Sequence, residues 1–392
     1  MSAPIAARRA LVALLLAAAV RCANAPGAPG SFYSGPSNPP RRPGELLRSE
    51  PMHPAPNGAK VWRILYASTD PDGNPIAVSG VVIAPDLPPP AAGRPVLAWA
   101  HPTTGVADAC APSVAPDFLD TIPHVPALVA LDWVVVATDY PGLGTPGVHP
   151  YLVGESEGRA VLDSVRAAAE VEKSGAGKRF AVWGHSQGGH AALFAGQLAG
   201  SYAPELQLAG VAAIAPATEL ATLLQDDLSS HAGAVLTSYS LWTWSRFYGI
   251  SIETAATPPA IHVIDGIAVD CIETRDEVYR AGFDSFALPD PFLVEGAMER
   301  DPWKSLLERN RPGAVPIRAP IYVAQGDQDL VVRPSVTADY VAGLCRQGAS
   351  VRFEKLEGEG HMRAARVSAS SAIGWMRARF DGTKAPNDCP PF

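Results

Sequence analysis

The stretch "AVWGHSQGGHAALF" (Ala181–Phe194) sets one serine between two histidines, beside three glycines. "RFAVWG" (Arg179–Gly184) reads as a buried strand and "GGHAALFAGQLA" (Gly188–Ala199) as a helix. "GHSQG" between them fits G-x-S-x-G in its strand–turn–helix setting. Ser186 is therefore the candidate nucleophile. Small neighbours let strand and helix approach, and the serine hydroxyl projects above the sheet. The backbone N–H of Gln187 then points at a developing oxyanion, helped by the positive end of the helix. His185 and His190 read as packing or supporting residues.

A serine nucleophile needs a base, and the base needs an acid to orient it. On strand–turn–helix scaffolds of this kind the chain order is Ser, then Asp or Glu, then His. "AQGDQDLVV" follows a strand and offers Asp327 and Asp329; "GEGHM" supplies His361, the one histidine beyond them. Asp329 is the preferred acid, because it lies farther past the strand end and precedes apolar Leu330, Val331 and Val332. A second oxyanion donor is expected from "AHPTTGVADAC", after the strand Pro95–His101. Thr103 and Thr104 are the candidates there, through a backbone N–H, a hydroxyl, or both.

Outward from this centre, strands and helices alternate. "WVVVATDY" (Trp133–Tyr140), "LAGVAAIAP" (Leu208–Pro216), "APIYVAQG" (Ala319–Gly326) and "VRFEKLEG" (Val351–Gly358) read as strands. Glu155–Lys173 carries apolar residues at helical spacing. Continuous apolar strands separated by helices predict an α/β fold, a mostly parallel sheet covered on both faces. "VWRILYAS" and "PIAVSGVVIAP", joined by "TDPDGN", predict an antiparallel hairpin. That connection is a turn and not a calcium loop: Pro75 and Val81 stand where the loop needs Gly and Glu. "GLGTPG" (Gly142–Gly147) formally fits G-x-G-x-x-G, but Pro146 opposes a helix opening inside it, so no dinucleotide site is expected. The alternation stops between Pro216 and about Pro316. Residues 217–316 are read as an inserted helical cap on a core made of 57–216 and 317–392. Trp242, Trp244, Phe247 and Tyr248 are the candidates to line an acyl tunnel in that cap.

The 392 residues are 47% hydrophobic and 18% charged, with a net charge of -8. No basic block appears, so nucleic acid is not a partner. Residues 1–25 read as an export signal: Arg8 and Arg9 precede an apolar run, Ala10–Val20, that is too short to span a bilayer. Residues 26–56, rich in Pro, Gly and Ser, read as an arm with little regular structure. The mature chain is expected to be secreted or periplasmic and monomeric, with no integral membrane segment. Five cysteines are present, and losing Cys22 with the signal leaves Cys110, Cys271, Cys345 and Cys389. An even number in an exported protein predicts two disulfides, and the absence of C-x-x-C argues against a thiolate zinc site.

Taken in order, "HPTTGVADACAPS", "DYPGLG", "GHSQGG", "GDQDLVV" and "GEGH" resemble the secretory lipase family of α/β-hydrolases, from about residue 60 to the end. The resemblance implies carboxylic-ester hydrolysis by a Ser186–His361–Asp329 triad, with small esters or lipids as substrates. It also implies a helical lid after the sixth strand, no cofactor and no metal, and the disulfide pairs Cys110–Cys271 and Cys345–Cys389. One departure is Pro102, which stands at the usual glycine of "HGTTG". Two other readings use the same residues: an exported serine peptidase or amidase, and a non-catalytic hydrolase fold used for binding. Acidic cap residues that anchor a substrate amine would favour the peptidase. Loss of a triad member would favour the binding protein.

Overall fold

A nine-stranded sheet runs through the molecule in the order β1-β2-β3-β5-β4-β6-β7-β8-β9. The computed structural model describes residues 29–36, 42–227 and 230–390. The export signal read in residues 1–25 lies outside them, as do Cys22, residues 26–28 and residues 37–41. The first three strands are β1 (Leu46–Pro51), β2 (Ala59–Thr69) and β3 (Pro75–Pro85), and they pair antiparallel. The β2–β3 hairpin closes at Asp70, whose carboxylate accepts from the Asn74 backbone N–H (2.8 Å) and side-chain amide (2.9 Å). Those bonds take up the carboxylate that a cation would need.

β3 also pairs antiparallel with β5 (Val134–Thr138). From β5 the sheet is parallel, through β4 (Arg94–Ala100), β6 (Ala176–His185), β7 (Gln207–Ile214), β8 (Ile321–Gly326) and β9 (Val351–Leu356). Side chains alternate along each strand. Val96, Ala98 and Ala100 of β4 join one core, and Leu97 and Trp99 join the other. Helices α2 (Gly154–Glu170), α3 (Gln187–Tyr202) and α9 (Pro334–Arg346) cover the first face. Helices α1 (Val125–Ala130), α10 (Ala364–Val367) and α11 (Ala369–Phe380) cover the second. Burial on both sides is why β4, β5, β8 and the second half of β6 read as apolar runs, whereas edge strand β9 is only partly buried.

Two features depart from the sequence reading. Residues 46–51, placed in an arm with little regular structure, form the edge strand β1. Its burial pattern is mostly exposed, so it lacks the alternation that marks a half-buried strand. Phe32 and Tyr33, from the same segment, are buried against Leu65. The short helix α1 also escaped notice.

Between β7 and β8 the described residues form five α-helices: α4 (Leu220–Asp227), α5 (His231–Phe247), α6 (Pro258–Ile267), α7 (Arg275–Ser285) and α8 (Trp303–Arg309). They share a core with Val106, Tyr151, Leu152, Val153, Val332 and Val336 of the sheet domain, in which the Trp244 and Trp303 rings stack 6.4 Å apart. Strand order reverses around β4: β5 lies on one side of it and β6 on the other. In open α/β sheets the loops at such a switch point diverge and leave a crevice at the carboxyl ends of the strands. Ser186 follows β6 and His101 follows β4, so the fold brings the serine turn and the "HPTTG" loop to that crevice.

Candidate active site

Ser186 sits between β6 and α3 with φ +57° and ψ −116°, a conformation that costs a non-glycine residue energy. The glycines make it possible. A Cβ on Gly184 would strike the Gly188 carbonyl, and one on Gly188 would strike the Ala100 carbonyl of β4. The turn is pinned by Ser186 N–H to the Ile214 carbonyl of β7 (2.9 Å) and by His190 N–H to the Ser186 carbonyl (3.0 Å). Gln187 is the first residue of α3, so its N–H has no acceptor within the helix.

The loops after β8 and β9 bring the other two residues to the serine. The Ser186 hydroxyl donates to His361 Nε2 at 2.9 Å, and His361 Nδ1–H donates to Asp329 Oδ2 at 2.8 Å. The Val331 and Val332 N–H groups donate to Asp329 Oδ1 at 2.9 and 2.8 Å. Gln325 Nε2 donates to Oδ2 at 2.9 Å, and Thr337 in turn holds the Gln325 amide. Burial pushes the Asp329 carboxyl up. The hydrogen bond and charge of His361, with the two backbone donors, outweigh it and hold the group below the usual carboxylate range. Asp329 is thus ionised at neutral pH. Asp327 is exposed and accepts from Gly358 N–H, which makes it a turn residue.

His185 donates from Nε2 to the His361 carbonyl at 3.0 Å, and the two rings lie 4.8 Å apart. Burial and the neighbouring His361 push its pKa down to about 3, so the ring stays neutral. The other "HSQ" neighbour, Gln187, turns its side chain into the core. Its amide donates to Glu157 Oε1 (2.8 Å) and His149 Nε2 (3.1 Å). Glu157, His149 and Gln325 were not singled out from sequence. Nothing in their local pattern marks them, because their partners come from elements far along the chain.

The Thr103–Gly105 segment lies beside the serine turn, but its two hydroxyls differ. Thr104 donates to the Cys110 carbonyl at 2.8 Å and is buried, so its hydroxyl proton is not free for an oxyanion. Thr103 Oγ1 meets the Tyr151 hydroxyl at 3.0 Å, and Tyr151 borders the cavity at Ser186. The loop is tied to the cap. Ile272 N–H donates to the Thr104 carbonyl at 2.8 Å, and Cys110–Cys271 forms a disulfide. A second disulfide, Cys345–Cys389, joins α9 to the C-terminal tail. Both pairings are those that the family resemblance implied.

The cavity at Ser186 holds about 30 Å³, room for roughly two waters. Its apolar wall is mainly aliphatic, with Leu220, Leu223, Leu224, Leu236 and Leu307 supplied by the cap. Of the four candidate rings, Trp244 borders it, and Trp242, Phe247 and Tyr248 are not among its lining residues. Helix geometry accounts for Trp242, whereas Phe247 and Tyr248 stand at the C-terminal end of α5. Leu236, Ser240 and Trp244 recur every fourth residue of α5 and share one face. Trp242 points about 200° away from Trp244; its indole N–H donates to Asp265 at 3.0 Å, under the Arg246 guanidinium. Phe247 packs edge-on against Tyr248, whose hydroxyl accepts from the Asn310 amide at 2.8 Å.

This order of elements and loops agrees with a family-wide pattern. A family model for secretory lipases matches residues 119–388. The chain belongs to the secretory lipase family. It is 29% identical to lipase 1 of Candida albicans over 356 residues, covering 84% of this chain and 73% of that one. It is 25% identical to a probable inactive lipase of Mycobacterium tuberculosis over 364 residues, 87% of this chain and 79% of that. Among solved structures, Candida antarctica lipase A in its closed state superposes with a TM-score of 0.76 at 20% identity, over 93% of this chain and 89% of that one. A rice cell wall degrading esterase, LipA from Xanthomonas oryzae, gives 0.70 at 21% identity, over 88% and 100%. The fold is accordingly that of an α/β-hydrolase.

The two disulfides should separate in their effects. Replacing Cys110 and Cys271 by Ser is expected to lower stability by about 2–5 kcal/mol and also to reduce kcat, because the bridge holds the loop of Thr103. Replacing Cys345 and Cys389 should lower stability while leaving kcat at wild-type level below the melting temperature. Thermal unfolding and ester turnover measured on both variants decide this. Equal effects on kcat would show that the first bridge does nothing for the loop.

Proposed function

We propose that the protein is an exported serine carboxylic-ester hydrolase that works through an acyl-enzyme. The observation that carries this reading is the unbroken chain from Ser186 Oγ through His361 to Asp329, at 2.9 and 2.8 Å. Ser186 attacks the ester carbonyl while His361 Nε2 takes its proton. The proton then passes to the leaving alcohol, and Asp329 stabilises the imidazolium and fixes its tautomer. Water repeats the cycle on the acyl-enzyme. The oxyanion is bound by the Gln187 N–H and by the Thr103 segment. A donor of this kind is worth roughly 2.7–4 kcal/mol of barrier.

Family membership supports ester hydrolysis in preference to peptide hydrolysis. So does the cavity: among the described residues that line it, none is charged, and none could anchor a substrate amine. One relative is a probable inactive lipase. The hydrogen-bonded geometry here supports activity in this chain. Export agrees with two disulfides and with the apolar run after Arg8 and Arg9.

Ser186→Ala should leave the circular dichroism spectrum unchanged and cut turnover of p-nitrophenyl butyrate by about 10⁴–10⁶-fold. A folded variant with near wild-type turnover removes the mechanism. Asp329→Asn should cost up to about 10⁴-fold in kcat, by placing imidazole in the wrong tautomer. Asp327→Asn should cost no more than about tenfold, through the Gly358 turn alone. The reverse ranking would reassign the acid.

The small cavity makes a further statement about chain length. Each methylene that is accommodated should gain about 0.8 kcal/mol, so kcat/KM is expected to rise over the first few acyl carbons and then fall. Leu236→Ala should move the optimum to longer chains. Trp242→Ala, outside the cavity, should keep the shape of the profile. A p-nitrophenyl ester series from C2 to C16 reads both. A common factor at every length in both variants would mean that the cap wall does not select the acyl chain.

A further inference from the structure

Glu157 lies in the first turns of α2, and its carboxylate is completely buried. A buried carboxylate is costly unless every lone pair is matched. Here three groups from separate segments meet it. Oε1 accepts from Leu152 N–H at 3.0 Å and from the Gln187 side-chain amide at 2.8 Å. Oε2 faces His190 Nδ1 at 2.9 Å. The other ring nitrogen of His190 lies 2.8 Å from the Asn310 carbonyl. A carbonyl only accepts, so His190 Nε2 carries a proton. One further proton then sits between Nδ1 and Oε2, and the pair is held together wherever that proton resides.

The Gln187 amide is fixed as tightly. His149 Nδ1 faces the Pro141 carbonyl at 2.9 Å, so that nitrogen carries the proton and Nε2 presents a lone pair. Burial, with His101 nearby, pushes the His149 pKa down to about 3, which keeps it in that form. Both N–H bonds of the Gln187 amide therefore have one acceptor each, Glu157 and His149. Turning the amide over would set its oxygen against the carboxylate.

Glu157 acts on the opposite wall too. Leu152 has φ +55°, a left-handed conformation that a leucine does not adopt unaided. Its N–H is one of those that the carboxylate holds. Leu152 follows Tyr151, and the Tyr151 hydroxyl meets Thr103. The link continues into the cap: Asn310 ends α8, accepts from Gly154 N–H at 3.1 Å, and donates to the Tyr248 hydroxyl.

We propose that Glu157 is a positioning residue for the ester-hydrolysing site, one buried carboxylate that sets both sides of the oxyanion site through Gln187 and through Leu152–Tyr151–Thr103. This rests on Ser186 being the nucleophile. Glu157 touches no substrate. It fixes the residue that carries the oxyanion N–H and the segment that carries the second donor.

The test uses the full chain with Glu157→Ala, Glu157→Gln and Gln187→Met. Enzyme concentration is taken from titration with a p-nitrophenyl phosphonate that labels Ser186, so unfolded protein does not count. kcat and KM for p-nitrophenyl butyrate are read beside the inhibition constant of a trifluoromethyl ketone, whose tetrahedral adduct needs the oxyanion site. Glu157→Ala should lower kcat per titrated site by about 10²-fold, with KM within about threefold and inhibitor affinity lost in proportion. Glu157→Gln should recover most of this, because a carboxamide can accept from Leu152 and Gln187 and donate to His190 Nδ1. Gln187→Met cuts only the amide anchor and should lower kcat by about tenfold, also with loss of inhibitor affinity. Two results overturn the proposal. One is wild-type kcat per titrated site in Gln187→Met and in whichever Glu157 variants fold. The other is a fall in kcat with inhibitor affinity unchanged. Failure of the hydrolase reading itself looks different: Ser186→Ala would keep its turnover and the phosphonate would not label the wild type.

Discussion

The serine turn depends on how closely three segments of backbone approach one another. β4, β6 and the start of α3 are so near at Gly184 and Gly188 that neither position has room for a Cβ. That contact holds Ser186 at a positive φ, lifts its hydroxyl to His361, and leaves the first N–H of α3 unpaired beside it. Everything else in the site is arranged around a serine that cannot relax. The strain is sustained because the turn is bonded to β7 on one side and packed against the β4 carbonyls on the other.

Around this rigid centre, the two segments proposed to hold the oxyanion come from parts of the chain that tie the sheet to the cap. The loop after β4 carries Thr103 and Thr104 and is fastened to the cap by the Ile272–Thr104 hydrogen bond and the Cys110–Cys271 bridge. The start of α3 reaches the cap by a different route, from His190 to Asn310. Cap and site are thus joined on both sides of Ser186. The apolar core of the cap takes in Tyr151, Leu152 and Val153 of the sheet domain, which registers its position against the wall of the cavity at Ser186.

Much of this was legible in the sequence, for reasons that can be stated residue by residue. Parallel strands buried on both faces are apolar runs, so the buried parts of β4 to β8 could be read from sequence. The serine turn needs glycines at fixed offsets, and "GHSQG" shows them. His361 was accessible through chain order, and Asp329 through its distance past β8. Edge strand β1 was not legible, because an exposed strand carries no apolar alternation. Thr103 and Thr104 looked equivalent, and only the direction of each side chain separates them. The buried supports Glu157, His149 and Gln325 were hidden for a deeper reason. A charged or amide side chain reads as surface in one dimension, and it becomes a core residue only when donors from distant segments converge on it.

The aromatic cluster of α5 shows the same limit from the other direction. Composition made Trp242, Trp244, Phe247 and Tyr248 all candidates for one lining, but Trp242, two positions from Trp244, faces away from it, and Phe247 and Tyr248 stand at the end of the helix. Trp244 shares the face of Leu236 and Ser240, and that face borders the serine. Trp242 lies nearly opposite and packs under Arg246 at the surface, and Tyr248 ends as an acceptor for Asn310. The rings therefore divide the work. One bounds the cavity, and another bonds to the same asparagine that receives His190, so part of the cluster bears on the site through the Glu157 network and not through contact with an acyl chain. The rest of the apolar wall is supplied by the leucines of α4, α5 and α8, ordinary core residues in composition, placed there by which side of each helix faces Ser186.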